Sequence, residues 1–190
     1  TSLGAVLLPR ASYYLENNLI GEFKKISAKA INFVFIIAIP MLVYFMLFAN
    51  ESIHFLAGDA FDNSILPMQI IMPTLLFIGL TNIMGIQMLV PLGMEKCVLY
   101  SEIAGAITDL VLNAILIPFI GAAGAAIGTV AAEAVVMVVQ YIYLKDEVKP
   151  IFVEIRYGLI AIATILSAGV ALLTKMLSWH PFFFCFPFFQ

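Results

Sequence analysis

Charge is what this chain has least of: 11% of its 190 residues are Asp, Glu, Lys or Arg, against about 25% in soluble domains. So few charges cannot clothe a water-facing surface, which excludes a soluble globular domain and a disordered chain. There is no basic face either, and a net charge of −3 gives no attraction for a polyanion, so nucleic-acid binding is excluded. Cysteine is nearly absent. Cys97 and Cys185 lack CxxC spacing and imply neither a disulfide framework nor a zinc site. His54 and His180 are solitary, and the chain has no HExxH, GxSxG or Walker loop, so nothing recruits ATP or marks a hydrolase.

Apolar sequence fills the space left by charge, at 63% of residues and a mean hydropathy of +1.08. The solvent implied is a bilayer. About 20 apolar residues cross a ~30 Å hydrocarbon layer as a helix. Five runs qualify: residues 28–49, 65–90, 97–118, 122–144 and 157–176. Residues 1–9 read as the last turns of a sixth span. The expected fold is therefore an all-α, polytopic transmembrane bundle, because lipid leaves every backbone amide to be satisfied within its own segment. Opening inside an apolar stretch and closing on the aromatic run SWHPFFFCFPFFQ, the chain reads as a fragment cut at both ends, with residues 178–190 a truncation artefact.

Positive charge orients these spans. Arg10, Lys24, Lys25, Lys29, Lys96, Lys145, Lys149 and Arg156 fall in loops on one side, leaving Lys175 alone on the other. The basic side is expected to be cytoplasmic. Tyr13, Tyr14, Tyr100, Tyr141, Tyr143 and Tyr157 gather at the same interface, with Trp179 near the opposite one. Between residues 12 and 29, Leu15, Leu19, Phe23 and Ile26 form one apolar stripe, which predicts a short amphipathic helix lying in that interface.

Three acids fall inside predicted spans, where a central charge costs ~2.5–3.5 kcal/mol on insertion scales. Glu102, Asp109 and Asn113 lie within about 40° of one another on the third full span. On the fourth, Ala125, Thr129 and Glu133 repeat every fourth residue, and Gln140 continues the stripe. The tight turn at residues 118–121 makes these spans antiparallel neighbours. Positions whose numbers sum to about 240 should then lie at equal depth, which brings Asp109, Asn113, Thr129 and Glu133 to one level near the midplane. Gly105, Gly121, Gly124 and Gly128 permit close approach of the two backbones. Two readings follow. The plainer one is polar glue between helices, with the carboxyls protonated because leaving water disfavours their charged form. The functional one is a proton or cation site, in which oxygens of Asp109, Asn113, Thr129 and the Ala125 backbone surround a hard ion. Gln69, Asn82, Gln87 and Asn32 read most simply as interhelical hydrogen bonds, with Asn82 and Gln87 also candidates for a cavity wall. Pro40, Pro67 and Pro73 predict kinked spans.

Several stretches together carry a family likeness. LGAVLLPRASYY, LPMQIIMPTLLFIGLTNIMGIQMLVPLGMEK and DLVLNAILIPFIGAAGAAIGTVAAE resemble the C-terminal half of bacterial lipid-linked oligosaccharide flippases, the polysaccharide transporters of the multidrug/oligosaccharidyl-lipid/polysaccharide superfamily. The most specific part is Asn113 to Thr129, and the likeness covers residues 1–177. It implies the second lobe of a two-lobed inner-membrane transporter, which moves undecaprenyl-pyrophosphate-linked oligosaccharide from the inner to the outer leaflet by alternating access. Its partners would be that lipid-linked cargo, the membrane and a missing first lobe. In related flippases an Asn and an Asp four residues apart, with a Thr on the next helix, hold a cation. Asp109, Asn113 and Thr129 match that spacing with the first two exchanged. The resemblance thus implies sodium or proton coupling at Asp109, Asn113, Thr129, Ala125 and Glu133, and no other cofactor. Arg10, Glu102, Asn82 and Gln87 are the cavity or substrate candidates, Arg10 doubling as a topology anchor.

Three other functions compete. A drug/cation antiporter of the same superfamily would share the fold. A polytopic enzyme of polysaccharide assembly would act from a long outer loop rich in Arg, His or Asp, whereas the sizeable outer loop, residues 50–64, contains no arginine. A non-transporting scaffold would need the midplane acids for stability alone.

Overall fold

A computed structural model describes the backbone of residues 2–153 and 157–176, and the side chains of residues 7–146, 158–170, 172 and 173. The side chains of Lys149, Tyr157 and Lys175, together with Arg156, Trp179, His180, Cys185 and residues 178–190, lie outside the described residues.

The described chain is helical throughout. Helix α1 spans Ser2–Glu16 and α2 Ile20–Leu47, followed by α3 at Ala49–Ala57 and a 3-10 turn at Asp59–Ser64. Then come α4 (Ile65–Ile71), α5 (Thr74–Asn82) and a π-helical stretch, Ile83–Leu89. Two long antiparallel helices, α6 (Glu95–Ile120) and α7 (Ala122–Val153), precede α8 (Tyr157–Met176). Among the described residues, three helices are long and apolar enough to cross a membrane: α2, α6 and the Ala122–Asp146 part of α7. A fourth crossing exists if the bent pair Asp59–Ile71 and Thr74–Leu89 counts as one span. In α8 the described apolar segment, Gly158–Val170, is shorter.

Two departures from the sequence reading concern the ends of α2. No separate interfacial helix occupies residues 12–29. Instead α1 runs to Glu16, Asn18 takes a left-handed backbone conformation (φ 55°), and α2 starts at Ile20, eight residues before the expected span. The Leu19 amide donates to the Tyr14 carbonyl across this reversal. Part of the apolar stripe therefore packs on protein: Phe23 is 1% exposed and Leu15 packs against the same core, whereas Leu19 stays exposed. At the other end, α2 stops at Leu47, and the Phe48–Ala49 junction is buried.

Proline explains the broken span. Pro67 sits in the first turn of α4, where a missing N–H costs nothing. Pro73 caps α5, and the axis turns by 43° between the two halves. The π-helical stretch beyond was not foreseen. Gly85 faces Gln140 there so closely that a Cβ would lie 3.0 Å from the amide nitrogen. The core collects at the basic end of the bundle, where Phe23, Ile31, Ile83, Met88, Leu89 and Leu144 are sealed. By contrast, only 6% of the apolar stretch of α6 is buried, with Leu110 and Phe119 pointing outward. A helix apolar on all sides and bare on most of them is stable in lipid or against further protein, not in water.

At the end opposite the basic loops, α3 and the 3-10 turn are joined through His54. Its Nδ1–H donates to the Asn50 carbonyl at 2.8 Å, and its Nε2 lies 3.0 Å from Asp62 and 3.5 Å from Asp59. The backbone bond to Asn50, followed by the charges of Asp62, Asp59 and Glu51, raises the imidazole above its ordinary value of 6.5. A raised folded value means that the tether is fully present below pH ~6.5 and is lost as pH rises through the folded value. Amides of Asp59–Ser64 are therefore expected to exchange with deuterium faster, beyond the intrinsic base-catalysed increase, on going from pH 6 to pH 8.5. Asp62→Asn should flatten that profile; an unaltered profile in the variant would mean that the imidazolium does not hold the turn.

Candidate functional site: a polar seam between glycine-lined helices

Helices α6 and α7 make the most extensive pairing among the described elements. Its register obeys the turn at Gly121, which takes φ 56° and so reverses the chain in a conformation glycine adopts without strain. Gly124 meets Leu116, Gly128 meets Asn113, Gly105 meets Val136, and Gln140 bonds Ser101. Each pair sums to 240 or 241, the equal-depth register anticipated from the turn.

The residue stripe that faces α6 is nevertheless one position off the expected one. Gly124, Gly128, Ala132, Val136, Gln140 and Leu144 are the buried positions of α7 on that side. Ala125, Thr129 and Glu133 lie beside the seam, half-exposed. The reason is steric: the smallest side chains permit the closest approach, so glycines take the contact line and the polar stripe rotates off it.

At the middle of the seam, the Asn113 Nδ2 donates to the Asp109 Oδ2 at 3.0 Å. The other oxygens of both side chains, Asp109 Oδ1 and Asn113 Oδ1, are buried and have no hydrogen-bond partner. Both point at Gly128. A Cβ there would collide with Asn113 Oδ1 and lie 3.3 Å from Asp109 Oδ1. The missing side chain thus leaves a cradle whose walls are two acceptor oxygens, one carrying formal charge. Buried acceptors normally find a donor, and an orphan costs ~1–3 kcal/mol. Two orphans converging on one glycine are an arrangement that a proton or a hard cation would satisfy.

The remaining candidates are placed elsewhere. Thr129 donates to the Ala125 carbonyl of its own helix at 3.1 Å, and no hydrogen bond joins either to Asp109 or Asn113. Glu133 is half-exposed and lies within electrostatic reach of Glu102, itself exposed on α6. The register keeps these four polar groups at similar depth, but they do not form one cluster: Asp109 and Asn113 meet the Gly128 backbone, Thr129 bonds within α7, and Glu133 interacts electrostatically with Glu102. Asn82 is half-buried in α5, and Gln87 is 4% exposed in the π-helical stretch. Neither lines the ~320 Å³ apolar cavity beside them, which Leu80, Met84, Met137 and Tyr141 form. Arg10 lines a different cleft, between α1 and α2.

Gly128 and Ser101 are residues the sequence reading undervalued. Gly128 permits the close approach of α6 and α7 and also forms the cradle floor. Ser101 takes the Gln140 Nε2 at 3.1 Å and donates to the Val98 carbonyl at 2.7 Å, a fully buried polar tie at the basic end. Gln69 does bridge helices as expected, its Nε2 donating to the Met46 carbonyl at 3.1 Å, and the Asn32 Nδ2 donates to the Ala28 carbonyl at 3.0 Å.

Comparison of the chain with protein-family models, with curated proteins and with solved structures gives no match.

Proposed function

We propose that the chain is the second lobe of an inner-membrane flippase for undecaprenyl-pyrophosphate-linked oligosaccharide, with five full spans and the end of a sixth, coupled to a proton or sodium ion at Asp109. The observation that carries this reading is the pair of buried, unpartnered oxygens facing Gly128. Polar glue would have joined these atoms across the helices; instead the one hydrogen bond of the pair runs within α6 and leaves an acceptor on each side chain. Asp109 Oδ1 and Asn113 Oδ1 are the atoms that would hold the ion. The Thr129 hydroxyl and the Ala125 carbonyl lie beside the seam on α7 and are engaged with one another. Both ligand atoms lie on α6, so seating an ion neutralises the carboxylate where α6 meets the Gly128 backbone of α7, and its release leaves that charge at the seam. A helix pair with two such states can bias a lobe movement. The bent span at Pro73 and the kink-prone Pro40, whose carbonyl accepts from the Ser167 hydroxyl of α8 at 3.3 Å, lie in helices that could accommodate it.

The test is Asp109→Asn in the full-length protein. Export of the lipid-linked oligosaccharide is expected to be abolished. Membrane insertion should be unchanged. Unaltered export would reject the coupling role. Accumulation of organic cations that depends on Asp109 would instead favour the drug/cation antiporter, which shares the architecture.

A further inference from the structure

A cleft of about 330 Å³ opens between α1 and α2 at the basic end. Arg10, Lys25 and Lys29 line it, with Glu22 and Tyr14. Glu22 is paired with Lys25 at 2.7 Å, so three cations face one carboxylate and the cleft keeps a positive balance. Arg10, Lys25 and Lys29 are all exposed, so an anion can reach them. Phe33, one turn beyond Lys29 and 49% exposed, forms its inner lip. Phe33 also begins a second, apolar groove of about 190 Å³, which continues along α2 past Ile37 and Met41 with Leu75 and Gly79 on the facing wall. From Lys29 to Met41 the helix rises about 18 Å. That is close to one leaflet, half of a ~30 Å hydrocarbon core.

Charge at the headgroup level joined to an apolar channel one leaflet long matches an amphiphile lying parallel to the helix. We propose that this cleft and groove bind an anionic glycerophospholipid of the basic-side leaflet. Its phosphate sits among Arg10, Lys25 and Lys29, with Tyr14 lining the same cleft, and an acyl chain lies along Phe33, Ile37 and Met41. Positive balance selects anionic over zwitterionic headgroups, and the apolar groove selects a lipid over a free phosphate. Such a lipid would fasten α1 to α2, the pair joined by the left-handed turn at Asn18. The proposal is independent of the transport reading and stands whether or not Asp109 couples an ion.

The test is lipid titration of the whole chain in detergent, followed by native mass spectrometry, with phosphatidylglycerol, phosphatidylcholine of the same acyl chains, and inorganic phosphate as probes. Phosphatidylglycerol is expected to bind in preference to phosphatidylcholine, and equimolar inorganic phosphate should not displace it. The double variant R10Q/K29Q should weaken phosphatidylglycerol by about 30-fold, as two surface charges would. K96Q/K145Q, which removes the same charge at the same end but outside the cleft, should change it by less than about 2-fold. All four positions are exposed, so both variants are expected to fold, and an unchanged melting temperature checks this. Equal losses in the two double variants, or displacement by inorganic phosphate, would overturn the proposal.

Discussion

Gly124→Ala is expected to cost at least ~2 kcal/mol of stability, at the upper part of the range for overpacking a close contact. The new Cβ would sit 2.7 Å from the Leu116 carbonyl carbon, 2.8 Å from its oxygen and 2.9 Å from its Cβ. Backbone cannot rotate away as a side chain can, so α6 and α7 must separate near their turn. Leu116→Ala should not rescue the variant, since all three obstructing atoms survive that change. Gly169→Ala is the control: a Cβ there meets nothing within 4 Å inside α8, and replacing a helical glycine should stabilise by up to ~1 kcal/mol. Thermal unfolding in detergent checks all three. A Gly124→Ala protein as stable as the parent would mean that the seam is looser than the close approach implies.

Gly128→Ala should lose function together with part of its stability. Here the obstruction is a side chain, the Asn113 amide oxygen, with Asp109 Oδ1 at 3.3 Å behind it. Asn113 can swing aside, but it then surrenders its 3.0 Å bond to the Asp109 carboxylate and the cradle fills with a methyl group. A hydrogen bond to a charged acceptor is worth ~1.5–3 kcal/mol, so a destabilisation of about that size is expected. Export by the full-length protein should fall as far as in Asp109→Asn. Coupling to Asn113 separates this from a general packing fault. The double variant N113A/G128A should be no less stable than N113A alone, a non-additivity of ~0.5–3 kcal/mol, yet should remain inactive. Restored export in the double variant would show that the cradle oxygens are not used.

How much of this was legible beforehand differs by element. The α6–α7 hairpin was readable to within a residue of register, because one glycine-containing turn and a short loop leave antiparallel neighbours a single alignment. The apolar runs read correctly as helices for the same local reason. The start of α2 was misplaced because an amphipathic stripe looks the same whether lipid headgroups or another helix covers it. Only the left-handed turn at Asn18, which folds α1 back onto α2, decides that Phe23 goes inward. Periodicity also placed Thr129 and Glu133 with Asp109, since hydropathy cannot distinguish the contact line from a stripe 100° around the helix.

The sequence by itself determined that this is an all-helical chain made for a membrane, which end of it is basic, and which two helices must be neighbours. Those properties follow from composition and from connections a few residues long. Tertiary structure alone decided which polar atoms stay without partners and which glycines form a floor beneath them. Both depend on how two helices rotate about their own axes, which is settled by steric fit over the whole seam and by no single residue in it.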